Sequence, residues 1–423
     1  MGEEAAGFAW KAAFGVTFRT VLAVREFRAL WAAELLSQVG DQVARVALAV
    51  LVYRRTSSAL LAGLTFALTF LPSLVGGVVL GGLADRYPRR EVIVVVDLLR
   101  AALVGLMAIP GVPLTGLCVL LVLVTLLGGP FKAAQLALLA DVLIGDYYVT
   151  ALALRQMTIQ SAQVAGFLAG GVLAQWVSPS GGLAINAVSF ACAAALVRLG
   201  VRRQPVSASR AGVVRGVVPV SGVAMVWRDT GLRSLTALCW LAGFHIIPEA
   251  TAAPYADALG DDTAFSVGVL MASDPVGSVA GALLLSRFFS EAERSKNLAA
   301  CALLAGLPLL GCAFGPPLPL SALLFATSGA LATGYQIQLN AAFVNLLHPD
   351  AKARGLGVLA SGLITVQGLG ALGGGVLSDL VGPERAIALA GISATLLGVR
   401  PAANWIRVSR KSALEQRSSG QRH

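Results

Sequence analysis

Gly81-Gly-Leu-Ala-Asp-Arg-Tyr-Pro-Arg-Arg90 is the stretch that decides the fold of this chain. It lies between two apolar runs, at residues 59–83 and 91–110. A membrane-spanning helix needs roughly 20 apolar residues, so each run is long enough to span a bilayer. The stretch is therefore predicted to be a tight, charged turn at a membrane surface. Its glycines allow helices to approach closely, and Asp85 can face the positive N-terminus of a neighbouring helix.

The composition of the whole chain also indicates a membrane protein. Of its 423 residues, 57% are hydrophobic and 13% are charged, whereas soluble proteins carry about 25% charged residues. The net charge of +10 is assigned to cytoplasmic loops, where lysine and arginine collect in membrane proteins. No basic stripe lies on a soluble domain, so nucleic-acid binding is not expected.

The apolar runs predict an all-α membrane protein with twelve transmembrane helices in two six-helix bundles. The twelve runs cover residues 29–53, 59–83, 91–110, 113–139, 150–177, 182–201, 233–256, 265–287, 296–314, 318–346, 355–381 and 385–406. The predicted domains are an N-terminal tail, an N-terminal bundle, a basic linker, a C-terminal bundle and a basic tail, at 1–28, 29–201, 202–232, 233–406 and 407–423.

The two predicted bundles are related by an internal repeat. At a shift of 204 residues, Gly166-Phe-Leu-Ala-Gly-Gly-Val-Leu-Ala-Gln-Trp-Val-Ser-Pro179 aligns with Gly370-Ala-Leu-Gly-Gly-Gly-Val-Leu-Ser-Asp-Leu-Val-Gly-Pro383. The same shift aligns Gly77 with Gly281. Because the shift spans six helices, the two copies have the same orientation in the membrane, as in carriers built from parallel repeats.

The basic residues predict which side of the membrane each end of the chain occupies. They cluster in alternate connections and in the C-terminal tail, with connections at 86–90, 202–215, 287–296 and 352–354. Loops rich in lysine and arginine favour the cytoplasmic side. Both termini are therefore predicted to be cytoplasmic.

The opening stretch resembles the signature of the major facilitator superfamily, Gly-x-Leu-Ala-Asp-Arg-x-Gly-Arg-Arg, between the second and third membrane helices. Pro88 replaces a glycine, and the matching residues are Gly81, Leu83, Ala84, Asp85, Arg86, Arg89 and Arg90. The resemblance implies a conformational switch in which Asp85 faces the N-terminus of the eleventh helix, near Gly355, and holds the outward-open state. The arginines would bind acidic groups and lipid phosphates. The resemblance also implies a monomer.

Several segments of the N-terminal half are similar to the branch of bacterial enterobactin exporters and macrolide efflux proteins. They are Phe27-Arg-Ala-Leu-Trp31, Ser37-Gln-Val-Gly-Asp41, Leu51-Val-Tyr53 and Asp97-Leu-Leu-Arg100. The fourth-helix arginine motif of many drug antiporters is missing, so their proton route is not carried over to this chain.

Helix five partly resembles the Gly-Pro-x-x-Gly-Gly motif of drug:proton antiporters. The matching residues are Gly166, Gly170 and Gly171, with Phe167 in place of the proline. The motif favours export, and ordinary glycine packing between helices is the alternative.

Charged residues inside spanning helices are costly and mark candidate functional sites. Asp41 and Arg45 lie one helical turn apart and can pair. A proton-coupled carrier needs a group whose protonation changes between its access states. The candidates for proton coupling, with Asp41 first, are Asp41, Arg45, Asp97, Arg100, Glu249 and Asp274. Static ion pairs that hold helices together are the alternative.

Polar groups in a central cavity would suit a mostly apolar substrate that carries a few functional groups. The candidates are Glu34, Gln38, Gln42, His245, Tyr335, Gln336, Gln338 and Asn340, and ordinary interhelical hydrogen bonds are the alternative. The chain lacks the Gly-x-x-x-x-Gly-Lys-Ser/Thr phosphate-binding motif, and its three histidines are scattered. No cofactor, no metal site and no enzymatic activity are therefore expected.

These features predict a secondary transporter of the bacterial cytoplasmic membrane. Its expected partners are a small-molecule substrate, protons and membrane lipids. The expected activity is export of a hydrophobic or amphipathic small molecule, such as an antibiotic, a siderophore or a secondary metabolite, by proton antiport with alternating access. A proton-coupled uptake symporter, and a non-transporting membrane scaffold or sensor of the same fold, are the alternatives.

Overall fold

The computed structural model describes residues 18–143, 145–202, 220–288, 291–348 and 351–420, and this part of the chain is helical without any strand. The fold is built from twelve long helical segments. They are α1 (Arg25–Thr56), α2 (Ala59–Leu80), α3 (Arg89–Met107), α4 (Leu114–Val142), α5 (Asp146–Trp176), α6 (Pro179–Gly200), α7 (Thr230–Ala250 with Ala252–Ala258), α8 (Ala264–Phe288), α9 (Asn297–Phe314), α10 (Leu318–Leu346), α11 (Lys352–Val381) and α12 (Pro383–Gly420). The predicted all-α fold is confirmed.

Length and composition make ten helices of the described part able to cross a membrane, or eleven if the bent α7 is one span. The remaining segment is α3, which is long enough at 19 residues. Its own charges set it apart, because Asp97 and Arg100 lie inside it and Arg89, Arg90 and Glu91 lie at its start. One face of α3 is buried and packs against α6 and α4.

Several helices extend beyond the apolar runs that predict them. α1 begins at Arg25, and α12 continues to Gly420, so both predicted tails are partly helical. A further helix, Val220–Arg228, lies within the predicted linker. Arginine, lysine, glutamate and leucine are good helix formers whether or not lipid surrounds them, so hydropathy marks a membrane boundary and not a helix end.

The helices pack into two bundles, α1–α6 and α7–α12. The repeat is visible in the packing of the second helix of each bundle against the fourth. In the first bundle Gly76 lies against the backbone of Leu126, and in the second Gly281 lies against the backbone of Ala330. The shift of 204 residues that aligns Gly77 with Gly281 also aligns Leu126 with Ala330. Both contacts use a missing side chain to bring two backbones together.

Two pairs of helices carry most of the contact between the bundles, α2 with α11 and α5 with α8. The first pair meets at Gly63 and Gly375, and the second meets at Gly171 and Gly268. In each pair the nearest atoms across the contact belong to the backbone. One end of the fold, the basic end, carries the 81–90 turn, and the other, the Asp379 end, carries Ser58, Asp257 and Asp379.

Gly375→Val is expected to destabilise the protein by about 1–3 kcal/mol, the usual cost of overpacking. A Cβ at Gly375 would meet the carbonyl oxygen of Ala59 and the Cα of Leu60, neither of which can turn away. Gly373→Val is the matched control, because a Cβ at Gly373 has no atom within 4 Å. Thermal unfolding of the purified protein in detergent measures the difference. Equal melting temperatures for the two variants would contradict the close packing of α2 on α11.

Candidate functional site

The seventh helix is broken where the candidate site lies. α7 consists of Thr230–Cys239, Ala242–His245, Ile247–Ala250 and Ala252–Ala258, and its two main parts are bent by 49°. Pro248 and Pro254 lie in the last two pieces, and proline removes a helical hydrogen bond and disturbs the preceding turn. Glu249 lies in the short piece between the breaks. Irregular helix at membrane depth is tolerated where it is buried in protein or lines a cavity.

Arg45 of α1 and Glu249 of α7 face each other across the two bundles. Arg45 Nη1 lies 3.9 Å from Glu249 Oε1, and that oxygen has no hydrogen-bond partner. The guanidinium also lies over the rings of Phe66 and Phe70, at 5.8 and 5.2 Å from their centroids. Glu249 is 6% exposed. The contact is therefore an attraction between two charges that no hydrogen bond locks in place.

The expected pair of Asp41 with Arg45 is not formed. Their spacing along α1 permits a contact, but the guanidinium of Arg45 is directed to the other bundle. Asp41 instead accepts a hydrogen bond from Asn186 of α6, at 3.5 Å. The charges of Arg100, Arg45 and Lys132 all act on its carboxylate. Lys132 is a residue that the sequence interpretation did not select, although it is a charge inside a predicted span.

The expected pair of Asp97 with Arg100 is formed, but it is loose. Arg100 Nη1 lies 4.0 Å from Asp97 Oδ1, and neither oxygen of Asp97 has a hydrogen-bond partner. The guanidinium of Arg100 lies between Phe131 and Phe190, at 4.8 and 5.4 Å from the ring centroids. A cation over an aromatic face is stabilised without a hydrogen bond. The arginine is thus held by rings while the carboxylate stays unsatisfied.

Glu34 belongs to a different kind of pair, inside the N-terminal bundle. Arg155 of α5 donates to both of its oxygens, at 2.6 and 2.5 Å, and also to Gln135 at 3.0 Å. Glu34 is 4% exposed. Two parallel hydrogen bonds to a guanidinium are the strong, geometrically fixed form of an ion pair. Arg155 was missed at the sequence level, although it too is a charge inside a predicted span.

The remaining polar candidates lie mainly in the C-terminal bundle. His245 Nδ1 lies 3.3 Å from Ser328 Oγ, and the rings of His245 and Tyr335 are 6.5 Å apart. His245 Nε2 and the Tyr335 hydroxyl are buried without hydrogen-bond partners. The charge of Asp274 on α8 acts on both Glu249 and Tyr335. The structure therefore brings Glu249, Asp274, His245 and Tyr335 into one region of this bundle.

The amide candidates are more dispersed. Gln42 is buried on α1 beside Gly166 of α5, and its Oε1 has no hydrogen-bond partner. Gln38, Gln336 and Gln338 are half-buried. Asn340 is exposed, and its side chain donates to the carbonyl of Gln336 in its own helix.

At the Asp379 end, hydrogen bonds join the two bundles. Asp379 of α11 accepts from Ser58 Oγ at 2.8 Å, from the Ala59 N–H at 2.7 Å and from the Leu60 N–H at 3.0 Å. Nearby, the Tyr53 hydroxyl donates to Asp257 at 2.9 Å and Arg54 donates to the carbonyl of Asp262 at 3.0 Å. In the part of the chain that the structure describes, all five hydrogen bonds between the bundles lie at this end. Asp379 was also missed at the sequence level.

At the basic end, Arg89 and Arg90 of the 81–90 turn bind their own bundle. Arg89 contacts Asp141 and the carbonyl of Ala137 at the end of α4, and Arg90 donates to the carbonyl of Arg198 on α6. Arg86 is exposed. The side chain of Asp85 lies outside the described residues, so its expected contact with α11 stays a prediction. Pro88 has φ −55°, a value that proline adopts freely, so a glycine is not needed there.

The three glycines of helix five serve two different contacts. Gly166 and Gly170 lie against α1, beside Gln42 and Val43. Gly171 lies against Gly268 of α8, in the other bundle. The motif therefore combines packing inside one bundle with one of the two close contacts between the bundles.

Comparisons with known proteins agree with this architecture. The family model described as Major Facilitator Superfamily matches residues 30–292. "Multidrug efflux pump Tap" of Mycobacterium tuberculosis is 26% identical over 379 residues, which cover 83% of this chain and 86% of the relative. The Tap protein of Mycolicibacterium fortuitum is also 26% identical, over 87% of this chain and 92% of the relative. The solved structure of the nucleoside transporter NupG superposes with a TM-score of 0.70 at 13% identity, covering 90% of this chain and 99% of that one.

Proposed function

This chain belongs to the major facilitator superfamily, and from that premise we propose that it exports hydrophobic or amphipathic small molecules by proton antiport. The family consists of membrane transporters, and multiple spanning helices make the chain a multi-pass membrane protein. Export is supported by the similarity to multidrug efflux pumps over most of the chain. Coupling to protons is supported by the buried charges described above, and by Arg45 and Glu249 first of all.

We place the basic end in the cytoplasm of a bacterium, in line with the positive-inside rule. Both termini are then cytoplasmic, and the domain boundaries near residues 202 and 232 enclose a cytoplasmic linker. The hydrogen bonds at the Asp379 end then close the carrier to the outside. In this arrangement a substrate enters from the cytoplasm, between the two bundles.

Glu249 is proposed to carry the proton, because it is the one acid in a described ion pair that joins the two bundles. Closure of the Asp379 end, which faces the outside in this arrangement, brings Arg45 to Glu249. A neighbouring guanidinium favours the ionised carboxylate. The proton is then released towards the cytoplasm. When the outer end opens, the bundles separate, Glu249 loses its partner, and a proton from outside can bind.

The same pair explains how the carrier avoids admitting protons when no substrate is bound. With Glu249 ionised and facing Arg45, the empty carrier is held closed to the outside. A substrate that competes for either charge, or that wedges between the rings of Phe66 and Phe70, breaks the pair and permits outward opening. Asp41 is proposed to adjust the electrostatic potential around Arg45, because the charges of Arg45, Arg100 and Lys132 all act on the Asp41 carboxylate.

The loose geometry of the Arg45–Glu249 pair is the observation that carries this proposal. A buried carboxylate oxygen without a hydrogen bond is costly, and such groups in native structures usually have a functional reason. Glu34 with Arg155 shows that the same fold can satisfy a buried acid completely. The contrast supports a structural role for Glu34 in the N-terminal bundle and a role for Glu249 in the moving part of the carrier.

Accumulation of labelled antibiotics and siderophores in a pump-deficient bacterial host tests the direction and the energy source. Expression of the chain is expected to lower accumulation of at least one compound severalfold, and Asp41→Asn or a protonophore is expected to abolish the effect. Asp262→Asn is a matched control, because the Asp262 side chain is exposed and its backbone carbonyl makes the contact with Arg54. Raised accumulation would indicate an uptake symporter. No change across a broad panel, with the protein present in the membrane, would favour a scaffold or sensor.

A further inference from the structure

The start of α2 is unusual because groups from the other bundle satisfy it. The first four N–H groups of a helix have no partner within the helix. In α2, two of these groups are satisfied locally: the Ser58 N–H donates to Thr56 Oγ1 and the Leu61 N–H donates to Ser58 Oγ, at 3.3 Å each. The remaining two, on Ala59 and Leu60, donate to the carboxylate of Asp379. Two of the four N–H groups at the start of α2 therefore depend on a residue that is at least 319 positions away along the chain.

We propose that this Asp379 cap sets the balance between the inward-facing and the outward-facing carrier, with Asp379 as a positioning residue for alternating access. The proposal rests on the proposed function for its biological meaning. It goes beyond that function because it assigns the outer closure to one carboxylate and one helix start, neither of which contacts the proton site.

The chemistry of the cap favours closure strongly but reversibly. A negative charge at a helix N-terminus is stabilised by the helix dipole, and bonds from N–H groups to a carboxylate are stronger than those to a neutral acceptor. Ser58 Oγ adds a third bond to the same carboxylate. The bonds from Ser58 and Leu60 are exposed to solvent, so water can replace Asp379 when the bundles part. Opening then breaks three bonds together without leaving a buried, unpaired group.

The local geometry holds both partners in position. Ser57 has φ 50°, a left-handed conformation that turns the chain from α1 into α2 within two residues. The same corner carries Tyr53 and Arg54, which bind the end of α7 and the α7–α8 connection. On α11, Gly375 lies one turn before Asp379 and allows the backbones of α2 and α11 to meet. A longer distance between the helices would move the carboxylate out of reach of the N–H groups.

The equivalent helix start in the other bundle has no such dependence. The shift of 204 residues aligns Asp379 with Gln175, which has no carboxylate, and aligns the start of α2 with the start of α8. There Asp261 accepts from Ser266 Oγ at 2.6 Å and from Thr263 Oγ1 at 2.8 Å, all within one stretch of chain. The hydrogen bonds from Ser266 and Thr263 lower the pKa of Asp261. The cap between bundles is thus a feature of one repeat, and Asp261 offers a matched control at the same end.

Distances between spin labels test the proposal without any substrate. One label replaces Pro113 at the α3–α4 turn and the other replaces Phe314 at the α9–α10 turn, both exposed and outside the contacts of the cap. The labelled protein lacks its native cysteines and is measured in lipid nanodiscs. Asp379→Asn is expected to raise the ratio of open to closed populations about tenfold, the effect of one charged helix cap. Asp379→Glu, which keeps the charge, is expected to restore part of the closed population.

Asp261→Asn is expected to leave the distances unchanged, because that carboxylate binds only its own stretch of chain. Ser58→Ala removes one bond to Asp379 and is expected to give a smaller shift, which protects the test if Asp379→Asn folds poorly. Unchanged distances in both Asp379→Asn and Ser58→Ala, or an equal shift in Asp261→Asn, would overturn the proposal. If the distances shift as expected but the accumulation assay finds no transported compound, the cap is established and the proposed export is rejected.

Discussion

Glu249→Gln is expected to reduce proton-driven export about tenfold or more while substrate exchange continues. Glutamine has nearly the same shape but cannot exchange a proton or attract Arg45. Coupling between two binding events is typically worth about 1–3 kcal/mol, or roughly 5–150-fold, and the variant removes the group that provides it. The measurement is efflux from proteoliposomes under an imposed pH gradient, with exchange of labelled for unlabelled substrate measured in the absence of a gradient.

The expected separation of efflux from exchange distinguishes a coupling residue from a structural one. Glu384→Gln, at the start of α12, removes an acid outside the ion pair and is expected to behave like the wild type. Arg45→Gln is expected to lose coupling as well, and the double variant is expected to be no worse than Glu249→Gln, because groups that act as a pair are not additive. Wild-type efflux by Glu249→Gln, or additive losses in the double variant, would refute the assignment of Glu249 and Arg45 as one unit.

Arg155→Met is expected to lower the free energy of unfolding by about 3–5 kcal/mol, the usual cost of removing one partner of a buried ion pair. The variant leaves Glu34 charged, 4% exposed and without the two hydrogen bonds that it accepts from Arg155. Methionine fills much of the same volume, so the loss is electrostatic and not a cavity. Denaturant-induced unfolding in detergent micelles measures it.

Restoring neutrality is the control for that result. Glu34→Gln combined with Arg155→Met removes both charges, and a neutral pair of similar volume is often close to the wild type in stability. We therefore expect the double variant to recover most of the loss. A single variant within about 1 kcal/mol of the wild type, the range of exposed ion pairs, would show that Glu34 reaches water in the folded protein.

Much of the fold could be predicted from the sequence because membrane folds obey strong, local constraints. A helix that crosses lipid needs a long apolar run, so the run of residues is itself the signal. The repeat is equally direct, since the shift of 204 residues aligns Leu126 with Ala330, and Gly76 and Gly281 contact these two residues in their own bundles. The charged turn at 81–90 also marks the boundary between the second and third helices more precisely than hydropathy alone.

The site was only partly predictable, because the partner of a charge is decided by a neighbouring helix. Arg45 was expected to bind Asp41 from their spacing, but it faces Glu249 in the other bundle. Glu34 was expected in the cavity, but Arg155 binds it within one bundle. Spacing along a helix determines which residues share a face, and says nothing of what that face contacts.

By itself, the sequence determined the membrane-spanning helices, the two related halves and the set of charges that must be accounted for inside the membrane. These follow from composition and periodicity, which act along the chain. The tertiary structure decided how the charges are matched: Glu34 in a fixed pair, Glu249 in a loose one, and Asp379 at the start of α2. The physical reason is that ion pairs and helix caps depend on distances of a few ångströms between residues as far apart as 204 and 320 positions, and packing of the helices sets those distances.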